Sequence, residues 1–329
     1  MEIITDISHF RKDQHPKLVL ALGNFDGVHL GHVDIFRRIH KRAQEIGGTS
    51  AVFTFKEHPQ RVLHQKEDPP ILTSLIHKLH LLNQAVDLCF LIEFTLELSK
   101  KSPEDFVRQV LIESLGANEI CLGFNARFGH DRLGDSQLMK QLASKYGFVF
   151  HEVPPFQVGT KIVSSSLIRS LIREGKLKEA AELLGRPYSF FGTVIPGAGR
   201  GKELGFPTAN LDSHSEVMPP EGVYAVWVHI WECQLADKGK DSLELKERSI
   251  QNRLKGLLNY GRKPTFGPVS KPVPEVYIFD LNESLIDKTV EVVIGERLRS
   301  EQAFDNPEAL RNQIRRDVEA GQKWFAKKS

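Results

Sequence analysis

The chain has little cysteine, almost no net charge and no long apolar run, and each shortage excludes a class of protein. Its 329 residues contain three cysteines, none of them in a Cys-x-x-Cys pair. A disulfide framework is therefore excluded, and a reducing, cytoplasmic setting is expected. The 44 basic residues nearly balance the 42 acidic ones, which leaves a net charge of +2. This balance gives no general attraction to nucleic acid or to an anionic membrane, so we expect neither as a partner.

Apolar stretches stay short of the roughly 18 residues that a membrane-spanning helix needs. The N-terminal segment also lacks the apolar core of a signal peptide. Hydrophobic residues make up 40% and charged residues 26% of the chain, a composition typical of a globular protein rather than a disordered one. The length corresponds to about two domains. Histidine is unevenly distributed, since 11 of the 13 histidines precede Gly185.

The first 185 residues alternate short apolar runs with longer amphipathic stretches. The apolar runs recur about every 30 residues, which is the length of a β-α-β unit. Strands this apolar indicate a parallel sheet covered on both faces. We therefore predict a doubly wound α/β domain over residues 1–185, which binds ligands beyond the carboxyl ends of its strands. A helix predicted over residues 166–184 closes this domain, and Gly185 ends it.

The pattern changes over residues 186–329. Short β-type runs separated by Gly, Pro, Asn and Asp predict an antiparallel β-barrel. A terminal helix follows, with Asn306 as its N-cap and Pro307 as its first residue. The polar, charged insertion at residues 235–254 is interpreted as a mobile hairpin or loop without chemistry.

The most specific motif follows the first predicted strand directly and reads GNFDGVHLGH over residues 23–32. His29 and His32 lie three residues apart at a helix start, near the positive end of the helix dipole. Free amides and two imidazoles at such a position suit the phosphates of a nucleotide. The alternative is a tight strand-to-helix turn with incidental histidines. The candidate phosphate-binding residues are Gly23, Asn24, Phe25, Asp26 and Gly31, and the candidate catalytic residues are His29 and His32.

A second element suited to phosphate opens the helix at the end of the first domain. The hydroxyls of Ser164 and Ser165 can cap the helix and donate to phosphate oxygens, and Arg169 adds a forked cation as a further candidate catalytic residue. Taken alone, this pattern more often indicates an ordinary helix cap with a solvated arginine. Its position gives it weight, because elements that open and close a doubly wound domain can converge on one nucleotide.

A glycine-rich loop in the second half begins at residue 192 and runs into the segment Pro-Thr-Ala-Asn, which ends at Asn210. It is not a Walker A motif, because Lys202 is followed by glutamate. Thr208 and Asn210 face one side of an extended segment and offer hard oxygen ligands to Mg²⁺. The alternative is a purely structural loop. The candidate phosphate-binding residues of this loop are Gly197, Gly199, Arg200 and Lys202.

The motif at residues 23–32 resembles the nucleotidylyltransferase signature, in the form found in prokaryotic bifunctional riboflavin kinase/FAD synthetases. The resemblance implies that this half is a Rossmann-like nucleotidylyltransferase that binds ATP and adenylylates FMN. It also implies that Asn125 and Arg127 contact phosphate. Three further segments resemble this family: FKEHP at 55–59, GFNARFG at 123–129 and VSSSLIR at 163–169.

The second half resembles the riboflavin kinase part of the same family. The resemblance implies that Thr208 and Asn210, in the segment GFPTANL, ligate Mg²⁺. Glu275 begins the strand EVYIF where the family has its catalytic base, which would accept the proton of the riboflavin 5′-hydroxyl. The segment LRSEQAF at residues 298–304 resembles a further family segment, and this resemblance implies that Arg299 and Phe304 lie on the flavin side.

The resemblance extends from about residue 18 to residue 324 and implies one enzyme with two activities. It would phosphorylate riboflavin to FMN, and adenylylate FMN to FAD with release of pyrophosphate. Three alternatives stay open. One is a riboflavin kinase with a weakened or lost adenylyltransferase, because Glu57, Ala126 and Ser166 depart from the family pattern. The others are a cytidylyl- or pantetheine-type transferase with a non-catalytic β domain, and an RNA-binding module. Association into a homo-oligomer is also left open.

Overall fold

The computed structural model describes residues 1–8, 10–59, 70–83, 85–197, 201, 204–239, 242–262, 272–281 and 283–328. The chain divides into two compact units. The first unit comprises Met1–Pro69, Leu75–Ser165 and Gln234–Lys246, and the second comprises Pro70–Ser74, Ser166–Cys233 and Glu247–Ser329. The domain boundary at residue 185 stays a prediction.

The elements of the first unit alternate strands with helices. They are β1 Glu2–Ile4, β2 Leu18–Leu22, α1 Leu30–Ile46, β3 Thr49–Phe55, α2 Leu75–Leu82, β4 Leu88–Ile92, α3 Leu96–Ser99, α4 Pro103–Asp105, β5 Ala117–Gly123, α5 Ser136–Tyr146, β6 Val149–Val153, β7 Gln157–Val158 and β8 Lys161–Ile162. Within the described residues, six strands form one parallel sheet in the order β1-β4-β3-β2-β5-β6. The predicted parallel α/β sheet is confirmed.

The strand β2 explains why helices cover both faces of this sheet. All five of its residues are buried. Leu18 and Leu20 pack into one apolar cluster and Val19 into another, because successive side chains point to opposite faces. From β2 the chain adds β3 and β4 on one side, and it later adds β5 and β6 on the other. The direction of winding therefore reverses between β2 and β5, and ligands of such sheets bind at that point.

Three features of the first half differ from the expectations. The short strand β1 was not predicted, since three residues carry no usable periodicity. The helix that begins at Pro103 is π-helical over Phe106–Ser114, which the apolar pattern of the sequence does not reveal. The single helix predicted over residues 166–184 is wrong. It is broken into α6 (Ser165–Arg173) and α7 (Leu177–Leu184), because Gly175 takes a φ of +75° that ends the first helix.

The second unit is a closed barrel. Its strands are β9 Ser189–Ile195, β10 Ala209–Asp212, β11 Gly222–Gly239, β12 Ser242–Gly261, β13 Val273–Ile278 and β14 Thr289–Ser300, and its last helix is α8 Pro307–Ala326. The order β11-β14-β9-β10-β13-β12 closes through pairing of β11 with β12. The predicted antiparallel barrel with a terminal helix is confirmed. Asn306 caps α8, accepting from the Ala309 amide at 2.9 Å.

The insertion at residues 235–254 lies in the hairpin of β11 and β12, and its tip belongs to the first unit. Leu243 pairs with Ile3 of β1 in antiparallel register. Leu245 is 7% exposed and joins the same apolar cluster as Ile3. The segment predicted as a mobile hairpin or loop without chemistry is thus part of a hairpin, which pairs with β1 and adds a core residue to the first unit.

Candidate active sites

The first site is built on the β2–α1 loop, residues 23–29. The Gly23 amide donates to the Phe53 carbonyl at 3.1 Å, which attaches the loop to β3. Two non-glycine residues have positive φ angles, Phe25 at +50° and Val28 at +39°. For a β-branched valine this backbone conformation is strained, and such strain clusters at functional sites. The side chains of both residues are buried, so packing supports the strained backbone.

The two histidines of the motif stack on each other at the N-terminus of α1. Their rings are 3.6 Å apart between centroids and 18° from parallel. His29 is the N-cap, and its Nδ1 accepts from the His32 amide at 3.3 Å. A Cβ on Gly31 would lie 3.2 Å from His29 Cε1, so glycine leaves room for this stack. The pair thus stands at the positive end of a 17-residue helix, where anions are stabilised.

The loop is tied to distant parts of the first unit. Asn24 Nδ2 lies 3.3 Å from His58 Nε2, in the segment after β3. Ser165, at the start of α6, donates from Oγ to the Asp26 carbonyl at 2.9 Å. Ser164 directly precedes this helix. The elements that open and close the first half therefore meet, as the sequence predicts for a shared nucleotide site.

The remaining predicted residues of this site lie nearby in the fold or further along α6. Asn125 and Arg127 are exposed in the turn after β5, the strand next to β2. Arg127 lies 4.0 Å from Asp135. Arg169 is four residues after Ser165 on α6, in a stretch that belongs to the second unit.

The second site is built across three neighbouring barrel strands. Asn210 on β10 is directly opposite Glu275 on β13, and Glu275 is opposite Asn259 on β12. Side chains at directly opposite positions of antiparallel strands project from the same face with their Cβ atoms about 5 Å apart. The strand register thus places the side-chain amides of Asn210 and Asn259 on either side of the Glu275 carboxylate. Asn259 was not predicted as a site residue, because no local pattern reveals cross-strand register.

Glycines surround the proposed metal ligands closely. A Cβ on Gly197 would lie 1.8 Å from Asn210 Nδ2, and one on Gly201 would lie 2.9 Å from Thr208 Oγ1. Asn210 is 8% exposed. The backbone of the glycine-rich loop therefore packs directly against both side chains. The predicted phosphate-binding residues Gly199, Arg200 and Lys202 lie outside the described residues.

A cluster of charged side chains lies at the C-terminal end of β14. Arg299, predicted to face the flavin, donates from Nε and Nη2 to Asp317 of α8 at 2.8 to 3.0 Å. Its Cζ also lies 5.9 Å from the centre of the Phe304 ring. Burial raises the pKa of Glu301; the positive charge of Arg299 opposes this, and nearby carboxylates including Glu275 add to the rise. Arg299 thus holds α8 to the barrel, and its contact with flavin stays a prediction.

The second site offers oxygen donors suited to a divalent metal. In the described part of the chain, no group of three His, Cys, Asp or Glu side chains could hold a metal ion. The Thr208 hydroxyl and the Asn210 carbonyl are hard oxygen donors, and Mg²⁺ typically completes such a set with nucleotide phosphates and water. These residues therefore fit Mg²⁺ together with a bound nucleotide. Across the described helices, none is both long and apolar enough to cross a bilayer.

Comparison with known proteins finds similarity over the whole chain. A family model described as FAD synthetase matches residues 11–167, and one described as riboflavin kinase matches residues 184–325. A protein of Bacillus subtilis named bifunctional riboflavin kinase/FMN adenylyltransferase is 33% identical, with 98% of this chain and 97% of the relative covered. A Haemophilus influenzae protein of the same name is 32% identical, with 93% and 94% covered.

One solved structure superposes on nearly the complete chain. It is titled a macrolide-efflux protein from Streptococcus pneumoniae, and it matches with a TM-score of 0.76 at 27% identity. The match covers 98% of this chain and 100% of that one.

Proposed function

Because the chain belongs to the family of bifunctional riboflavin kinases/FMN adenylyltransferases, we propose that its two reactions take place at the two sites described above. The protein phosphorylates riboflavin to FMN with ATP, and it adenylylates FMN to FAD. Both family models and full-length relatives favour two activities over the kinase-only and RNA-binding alternatives. We assign adenylyl transfer to the first site and the kinase reaction to the second.

The assignment of the first site is supported by the hydrogen bond between Ser165 and the β2–α1 loop, which joins both phosphate-suited elements. In adenylyl transfer, a phosphate oxygen of FMN attacks the α-phosphorus of ATP, and the bond to the β-phosphate breaks. The nucleophile is already anionic, so no protein base is essential. His29 and His32, with the amides at the start of α1, are placed to stabilise charge on the leaving pyrophosphate.

The assignment of the second site is supported by the register that sets Asn210 opposite Glu275. Glu275 accepts the proton of the riboflavin 5′-hydroxyl as that oxygen attacks the γ-phosphorus of ATP, and ADP leaves. Thr208 and Asn210 would hold Mg²⁺. When bound, the ion neutralises charge on the phosphates. Arg299 and Phe304 are proposed to border the flavin.

The test is an assay with riboflavin, ATP and Mg²⁺ in which FMN and FAD are separated by chromatography. We expect His32→Ala to lower FAD formation about 100-fold and to leave FMN formation unchanged. Asn210→Ala should lower FMN formation by a similar factor and spare FAD formation from supplied FMN. FMN without FAD from the unmodified protein would contradict the bifunctional function, and loss of kinase activity in His32→Ala would contradict the two-site division.

We further propose where in the cell the protein acts and how its chain divides into domains. The near-neutral charge and scarce cysteine support a cytoplasmic enzyme of small-molecule substrates without a nucleic acid partner. Residues 1–185 and 186–329 are proposed as its two domains.

A further inference from the structure

Lys78 is a buried lysine with no role in the reactions as described so far. It lies on α2 and is 8% exposed. Its Nζ donates to the carbonyl oxygen of Phe55 at 2.8 Å and to Thr54 Oγ1 at 3.3 Å. Both acceptors belong to the carboxyl end of β3, the strand beside the β2–α1 loop in the sheet. The ammonium group is thus directed at the end of the sheet where the first site is built.

A charge in this position is costly to the fold. Burial lowers the pKa of Lys78, and attraction from Cys89 and Asp26 opposes this. Burial also raises the pKa of the Cys89 thiol to about 12, so the thiol is neutral at physiological pH. The charge that favours the ammonium is therefore that of Asp26 in the β2–α1 loop. A methionine would fill similar space without desolvating a charge, which indicates a role for the ammonium itself.

A directed chain of hydrogen bonds connects this ammonium with the loop. Because lysine only donates, Thr54 Oγ1 accepts from Lys78 and uses its own proton elsewhere. That proton goes to the Asn24 carbonyl, at 3.1 Å. The direction of donation, from Lys78 to Thr54 and from Thr54 to Asn24, is thus determined by which groups can donate a proton. It ends in a loop whose backbone is strained at Phe25 and Val28 and depends on surrounding contacts to keep its shape.

We propose that Lys78 is a positioning residue for adenylyl transfer, which holds the β2–α1 loop against the end of β3 through Thr54. The proposal rests on the assignment of this loop to adenylyl transfer. Lys78 itself touches no reacting atom. It acts by keeping the loop amides and the histidine pair in the geometry that the transition state requires, where a displacement of about 1 Å costs up to about 100-fold in rate.

The central experiment measures steady-state kinetics of Lys78→Met in the full-length protein. We expect kcat for FAD formation from FMN and ATP to fall about 10- to 100-fold, with a much smaller change in KM for ATP. Riboflavin kinase activity of the same preparation should remain unchanged and reports on the folded second unit, and a wild-type circular dichroism spectrum reports that the first unit is folded. A wild-type kcat for FAD formation in Lys78→Met would overturn the proposal.

A second variant tests the same proposal if Lys78→Met does not fold. Thr54→Val keeps the shape of the side chain and removes the hydroxyl that links Lys78 to Asn24. We expect a several-fold lower kcat for FAD formation with normal kinase activity, and a wild-type kcat would overturn the proposal.

The matched control is Ser50→Ala. Ser50 lies on the same strand, is fully buried like Thr54, and bonds Asp87 at 2.6 Å rather than the loop. Its kcat should be that of the wild type, and a loss equal to that of Thr54→Val would also overturn the proposal. Failure of the site assignment itself is recognised separately, because His32→Ala would then leave FAD formation intact.

Discussion

Individual residues of both sites depend on glycines at positions where a Cβ would crowd or clash with them. Gly31 makes room for the stacked histidines, and Gly197 makes room for the amide of Asn210. The histidines and Asn210 thus keep their positions because the neighbouring residues are glycines, which take no part in the reactions themselves. The φ angle of Gly197 lies outside the left-handed region, so the constraint at this position is the close approach of the Asn210 side chain.

Replacing Gly197 with alanine should impair the kinase selectively. The new Cβ would displace the Asn210 amide, so we expect riboflavin phosphorylation to fall at least about tenfold. FAD formation from supplied FMN should not change. The measurement is the rate of FMN formation in Gly197→Ala, in Asn210→Ala and in the double variant. If alanine acts through Asn210, the double variant is no slower than Asn210→Ala, and additive losses would exclude this explanation.

At the scale of elements, an ionic cluster around the buried carboxylate of Glu119 joins α1 to two strands of the first sheet. Glu119 on β5 has a side chain 5% exposed, and it accepts from Arg42 of α1 at 2.9 Å and from His151 of β6 at 2.6 Å. Burial pushes the pKa of Glu119 up, but the hydrogen bonds from Arg42 and His151 outweigh it and hold the pKa below the ordinary 4.5. The ionised carboxylate therefore stabilises the packing of these three elements.

This cluster predicts a specific pH dependence of stability. A carboxylate with a lowered pKa stabilises the fold above its unfolded-state pKa, and this contribution is lost as the pH falls through its folded-state pKa. We expect Glu119→Gln to lower the free energy of unfolding by about 1–2 kcal/mol at pH 7. The difference from wild type should shrink when urea unfolding is repeated below about pH 4.

The control for this prediction is Glu113→Gln. Glu113 pairs with Arg108 at 3.1 Å, but both side chains are more than one third exposed. Solvent screens such a pair, so its loss should change stability by less than about 0.5 kcal/mol at either pH. An equal effect of both substitutions would show that burial of Glu119 does not matter.

At the scale of the whole molecule, the two units are not simply the two halves of the chain. Segment Gln234–Lys246 comprises the end of β11 and the start of β12, but it belongs to the first unit. Leu245 packs there with the core around β1 and α2. The adenylyltransferase unit thus depends on a segment that is encoded within the kinase half.

We therefore expect Leu245→Ala to destabilise the first unit by about 2–3 kcal/mol through the cavity it leaves. Thermal unfolding followed together with FAD formation would detect the loss. Ile250→Ala on the same strand is the control, since Ile250 is 40% exposed and surface changes usually stay within about 0.5 kcal/mol. Equal effects of the two substitutions would contradict the placement of this segment.

The sequence by itself determined both fold classes and most local elements, because their signals are local. The apolar runs form strands whose side chains are buried on both faces of a parallel sheet. Asn306 caps its helix through its own side chain. Motif spacing likewise placed the histidine pair at a helix start.

Only the tertiary structure decided which distant residues meet. Ser165 reaches the Asp26 carbonyl across 139 positions of the chain, Asn259 stands opposite Glu275, and Lys78 supports the β2–α1 loop. Such contacts depend on strand register and on helix packing, which are set by burial summed over many residues. A local pattern contains too little of that information to predict them.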